Sequence, residues 1–162
     1  MHGWWTTRAS PGGSSNWRTE RPAPPRWSGF VGYGSVMTAD AAAHEIMTTL
    51  QTAWSMGDGD AFASQFTHDA DFVNIVGDVV RGRAHIATHH DEIFGSVYQG
   101  STMRVDSLRT TEIAPGVATI EAAATVISSF GELGTHAFAV ILEQDETWAI
   151  RSFHNMVPFS LG

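Results

Sequence analysis

The chain contains no cysteine and no lysine. The first absence removes disulfides, thiolate metal sites and cysteine nucleophiles. The second leaves nine arginines as the only fixed positive side chains against 17 acidic residues, a formal net charge of −8. All-arginine usage of this kind reads as a bias of the genome rather than a mechanism. Charged residues are sparse, and no cluster of cations exists to neutralise a phosphate backbone, so no nucleic-acid partner is expected. Long apolar runs are missing too. None nears the roughly 20 residues that cross a bilayer, and the opening residues lack the charged and apolar regions of a secretory leader. No membrane partner is therefore expected, and the expected compartment is the cytoplasm. A Gly-rich phosphate loop and a GxSxG elbow are also absent.

What is there divides near Met37. Residues 1–36 carry four arginines, one acidic residue and four of the six tryptophans, set among "SPGGSSNW" and "RPAPPRW". Pro, Gly and Ser at that density support neither a helical nor an alternating period. Residues 1–36 are expected to form a disordered N-terminal extension. It is either a basic, aromatic strap over a partner or a stretch translated ahead of a start at Met37. Residues 37–162 hold five arginines and 16 acidic residues. The acidity belongs to that second segment, which has chain enough for one core.

Within it, Ala43, Ile46, Met47, Leu50, Ala53 and Trp54 recur at helical spacing, so 39–56 reads as an amphipathic helix. Thr38 or Asp40 can cap its start and Gly57 can end it. Asp58 can cap a short second helix, with Phe62 and Phe66 one turn apart. "DADFVNIVG" (69–77) reads as a strand, with 78–82 as a returning hairpin arm. Gly82-Arg83 opens a third helix to about Val97, on which Ile86, His90, Ile93 and Val97 share a face. Beyond Gly100 the period becomes that of strands: 102–113, 117–129, 133–143 and 147–157, separated by the turn signals "APG", "FGELG" and "QDE". This order predicts an α+β domain, with helices on one face of a curved antiparallel sheet. Ala118, Ala122 and Ala124 share the inner parity of one strand. Small side chains there leave volume for an internal pocket, unless Trp54, Phe62, Phe66 and Phe94 fill it.

The run "WSMGDGDAFASQFTHDADFVNIVGDVVRGRAHIATHHDEIF", with the terminal "WAIRSFHN", resembles the nuclear-transport-factor-2-like superfamily. The similarity extends over about residues 40–158, and the nearest pattern within it is the SnoaL-like, SgcJ/EcaC-type group. The resemblance implies a conical NTF2-like (cystatin-like) fold, a curved sheet on three helices around an internal pocket. It also implies a homodimer through the outer sheet face and a place in natural-product biosynthesis of the polyketide or enediyne type. Cyclases, isomerases and dehydratases that need no cofactor belong to the group.

Candidate site residues follow from these two readings together. The resemblance places a polar pocket residue at Asn155. Strand alternation pairs Asn155 with Phe153 and sends His154 to the other face with Ser152 and Met156, although a bulge would reverse that, so His154 stays a second candidate. At Asn74 related steroid isomerases carry an aspartate that shuttles a proton, and at Leu50 they carry a tyrosine. A carboxamide is no base near neutral pH, so Asn74 can orient a carbonyl or a water but not abstract a proton. His90, on the apolar helix face, is either a satisfied core residue or the best proton carrier present. His85 and His89 stand four apart, a metal-compatible spacing, but with no third ligand, so no metal is expected. Trp54, Phe72, Phe94, Ala122 and Phe153 are the expected apolar lining. Glu121 and His136 are expected on the outer, dimer-forming face, and Asp91 and Glu92 in solvent. The resulting expectation is a receptor for an apolar small molecule that promotes its cyclisation, isomerisation or dehydration. A non-catalytic binding module and a plain dimerisation domain are the alternatives.

Overall fold

A computed structural model of the chain describes residues 37–158. The expected extension, residues 1–36, lies outside the described residues. The elements run α1 (Ala39–Met56), α2 (Gly59–Ala63), β1 (Phe66–Val73), β2 (Val79–Arg81), α3 (Arg83–Phe94), β3 (Thr102–Ala114), β4 (Val117–Ser128), β5 (Gly131–Gln144) and β6 (Thr147–Met156). Among the described residues no helix is long and apolar enough to cross a membrane.

Local chemistry sets the helix ends. The Thr38 hydroxyl accepts from the Ala41 amide, and Gly57 closes α1 with φ +67°, a left-handed conformation that favours glycine. Asp58 caps α2 by accepting from the Ala61 amide. The α3 helix ends at Phe94, not Val97, because the chain turns at Gly95. The first strand is also displaced from expectation. It starts at Phe66, which is a strand residue and not a helical one, and it ends at Val73. Asn74, Ile75 and Val76 therefore belong to the β1–β2 loop.

The six strands form one open sheet in the order β2-β1-β6-β5-β4-β3. Every pairing is antiparallel except β1 with β6, which is parallel. The β4–β5 ladder is regular from Val117 to Ser128. Its neighbours are not: Asp106 and Ile113 are extra residues in β3, and Arg151 is extra in β6. Such bulges bend and twist a sheet, and here they curve it around α1. The Gln51 side-chain carbonyl on α1 accepts from the Val105 amide at 2.9 Å, beside the Asp106 bulge. Helix and sheet are thereby hydrogen-bonded where the ladder is interrupted.

The core lies between α1 and the inner sheet face. Ala42, Ala43, Ile46, Leu50, Phe66, Ile120, Ile141 and Ile150 are all buried there. Ala118 and Ala122 are part of this packed core. Neither they nor Ala124 line the apolar cavity beside α3, which corrects the expectation that the alanine stripe leaves an internal hollow. At the other edge, α2 meets α3 at very short range. The Gly59 amide donates to Asp91 Oδ1 at 2.9 Å, so Asp91, exposed to solvent as expected, also ties two helices together. A β-carbon at Gly59 would lie 2.4 Å from Asp91 Oδ1 and 2.5 Å from the Ala87 carbonyl oxygen. Gly59→Ala should destabilise the domain by about 1–3 kcal/mol in urea denaturation, as overpacking does. A change within about 0.5 kcal/mol would mean that the two helices are not held this closely.

Candidate functional site

A cavity of about 270 Å³ opens between the α3 side of the domain and the ends of β4, β5 and β6. Its wall takes Trp54 from α1, Phe72 from β1, Asn74, Ile75 and Val76 from the following loop, and His89, His90 and Ile93 from α3. Val97 and Tyr98 follow from the turn after α3. Val126, Leu133, Thr135 and Asn155 close it from the sheet. No Asp, Glu or Arg is among them.

His90 is the most constrained polar group in this wall. It is 1% exposed. The Phe62 ring stacks on it with centroids 3.9 Å apart, and Phe72 meets it edge-on at 5.0 Å. Nδ1 donates to the Ile86 carbonyl one turn back at 2.8 Å, since a carbonyl can only accept. Burial among these rings pushes the imidazole pKa down from 6.5 to about 4; the bond to Ile86 opposes that shift and the neighbouring His89 adds to it. At neutral pH His90 is therefore uncharged, with Nε2 as a bare acceptor. Of the two readings open for His90, this desolvation weakens that of a proton carrier near neutral pH.

Asn74 lines the cavity, but its carboxamide is already occupied. Oδ1 accepts from the amides of Val76 at 3.0 Å and Asp78 at 2.9 Å, and Nδ2 lies 3.4 Å from Asp78 Oδ2. These bonds build the β1–β2 loop, which places Ile75 and Val76 in the wall. Asn155 differs: it is half-buried, lines the cavity, and its side chain has no protein partner among the described residues. The orientation of Asn155 traces to the bulge at Arg151. Trp148 and Ile150 face inward, and regular alternation from them would have pointed His154 inward. The extra residue resets the parity, so Phe153 and Asn155 face in and His154 is exposed on the outer face. On that outer side Arg151 reaches Asp71 at 3.2 Å and Asp69 at 3.6 Å.

The other expected lining residues divide. Trp54 and Phe72 are in the wall. Phe153 stacks on Phe72 and packs against Phe66 behind it, Phe94 packs against Trp54, and Ala122 is core; none of these three borders the cavity. His154, kept as the second candidate, is exposed on the outer face, where alternation with Phe153 placed it, and does not line the cavity. Sequence reasoning missed Tyr98 and Thr135. Thr135 was recoverable as a polar residue at an inward parity in β5. Tyr98 lies in an irregular turn that periodicity does not reach. The Trp54 indole N–H donates to the Ser101 hydroxyl at 2.9 Å, which donates to the Tyr98 carbonyl at 2.7 Å, so the α3–β3 turn and the wall are fixed together.

An open sheet curved round one long helix, with an apolar pocket between its end and the shorter helices, defines the NTF2-like, cystatin-like class of fold. Solved structures agree. A domain of unknown function with a cystatin-like fold from Nostoc punctiforme matches with a TM-score of 0.69 at 25% identity, over 76% of this chain and 79% of that one. An NTF2-like protein from Novosphingobium aromaticivorans gives 0.65 at 15% identity over 74% and 81% of the two chains. A candidate scytalone dehydratase from the same species gives 0.64 at 14% identity over 73% and 83%. No protein-family model and no curated protein matches the chain.

The depressed pKa of His90 has a consequence for acid stability. Below pH 6.5 the unfolded chain binds a proton at residue 90 that the folded protein refuses until about pH 4. Stability from this group is complete above 6.5 and falls as the pH drops through that window, by up to about 3 kcal/mol. Urea denaturation from about pH 7 down to about pH 4.5 should show His90→Leu losing less stability than the parent over the same interval. Equal acid losses in the two proteins would show that the imidazole is not desolvated.

Proposed function

We propose that this domain is a receptor for a compact, uncharged, largely apolar small molecule held in the cavity beside His90. The observation that carries this reading is the wall itself: aromatic and aliphatic side chains without a formal carboxylate or guanidinium, interrupted by a few hydrogen-bonding atoms. Ligand sites generally have this composition. The volume, about 270 Å³, lies at the lower edge of the roughly 300–1,000 Å³ usual for such sites. It favours a ligand of one or two fused rings over an enclosed polyene. The SgcJ/EcaC-type resemblance and the candidate scytalone dehydratase among the similar folds support a place in polyketide- or enediyne-type biosynthesis. Any cyclisation, isomerisation or dehydration promoted here would rest on holding the reacting groups together. A neutral imidazole of pKa about 4 is a poor proton shuttle at neutral pH, which gives weight to the non-catalytic binding reading.

The outer sheet face supports the expected homodimer. Phe138 and Met156 are 43% and 46% exposed there, around a cleft of about 370 Å³ that also takes in Arg109, Glu121 and His136. Phe138→Glu should convert a dimer to monomer in sedimentation velocity; an unchanged sedimentation coefficient would remove this face as the interface.

Native mass spectrometry of the full chain purified from cells should release a neutral lipophilic molecule. Thr135→Phe, which places a ring in the cavity, should abolish its recovery while the protein stays folded. A nucleotide or other charged metabolite released in its place would sink the receptor reading.

A further inference from the structure

We propose that the pocket selects ligands that donate a hydrogen bond, a phenol- or enol-type hydroxyl on a compact apolar frame, and that His90 Nε2 is the acceptor that reads it. This deepens the receptor reading and rests on it.

The Ile86 carbonyl fixes the tautomer of His90. Nδ1 lies 2.8 Å from it and must carry the ring hydrogen, because a carbonyl has none to give. In a neutral imidazole the second nitrogen then has a lone pair and no hydrogen. Neither orientation nor tautomer is free to change cheaply. Turning the ring over would break the Ile86 bond, and Phe62, Phe72 and Phe94 pack around it. Among the described residues, the sole fully buried side-chain nitrogen or oxygen without a partner is Thr110 Oγ1. Nε2 also has no protein partner, so it is not sealed inside protein. The space that its ring borders is the cavity.

An unpaired acceptor on the border of a largely apolar cavity discriminates between ligands. A hydroxyl satisfies it. An ether, a ketone or a hydrocarbon displaces water from it and leaves it unmatched, which is costly in a buried site. The wall has no cation or carboxylate to balance a charged ligand, so the donor must be neutral when bound. Asn155 offers both a donor and an acceptor and is the less selective second contact.

The test uses matched probes. The full chain is titrated calorimetrically with a naphthol and with its methyl ether, which share a frame and differ in the donor. The naphthol should bind about tenfold tighter or more, and the ratio should fall towards one in His90→Phe. Should that variant fail to fold, nitrogen NMR of the histidine rings in the parent protein decides. The unprotonated Nε2 resonance should move on adding the naphthol and stay in place with the ether. Equal affinities, or an unmoved resonance at saturation, would overturn the donor selection and leave the receptor standing. Binding of neither probe would overturn both.

Discussion

The domain depends on one residue too many in its last strand. Side chains alternate along a regular strand, so Trp148 and Ile150 facing the helices would bring Ser152 and His154 in after them. Arg151 has no partner of its own in β5, and beyond it the parity is reversed. Phe153 enters the core against Phe66 and Phe72, and a carboxamide stands at the pocket where an imidazole would have stood. The Arg151 side chain lies on the outer surface between Asp69 and Asp71. Half-exposed ion pairs are worth at most about 1 kcal/mol each, whereas burying a phenylalanine contributes about 1.5–3 kcal/mol. The charges locate the bulge; the ring that it turns inward holds it.

What could be read from the residues was whatever local chemistry decides. The α1 ends follow from Thr38 and Gly57, the α2 start from Asp58, and two hairpins of the meander from "APG" and "QDE", so those elements lie where the spacing puts them; "FGELG" is different, since β5 already starts at Gly131 and pairs with β4 through Gly134. The first strand was misplaced because "DFVNIVG" is apolar beyond the point where pairing stops. The Asn74 carboxamide, by bonding the Val76 and Asp78 amides, starts a loop inside that apolar run. Helical period put His90 on the inner face correctly, but period says nothing of the rings around it, and those set its pKa. The alanine stripe misled for a related reason. Small side chains on a sheet mean either a hollow or a closely approaching helix, and only the three-dimensional arrangement tells which. Donor and acceptor accounts that close over distances of 47 or 54 residues, as in Trp54–Ser101 and Gln51–Val105, leave no trace in composition or spacing.

Charge is excluded from the pocket of an acidic chain. The carboxylates of α3 are turned elsewhere: Asp91 is bonded to Gly59, and Glu92 is exposed. With no carboxylate partner at His90, the largest influence on it is desolvation, and the Ile86 carbonyl only partly offsets this. The carbonyl's more important effect is to fix the hydrogen on Nδ1. A carboxylate in its place would have favoured the imidazolium and produced an acid, the arrangement expected of a proton donor. A backbone carbonyl yields a neutral acceptor.

The cage also limits what chemistry could follow binding. A base of pKa about 4 takes a proton only from an acid made strong by its surroundings, and returns it at once. Asn155 cannot take one at all, and the Asn74 oxygen already serves two amides. Rate enhancement in such a site would have to come from the shape in which a flexible ligand is held and from the exclusion of water, contributions that need no titrating side chain. Both also serve a protein whose task is only to shield a reactive molecule. Receptor and cyclase therefore require the same wall here, and the difference between them lies in the reactivity of the ligand more than in any residue of the domain.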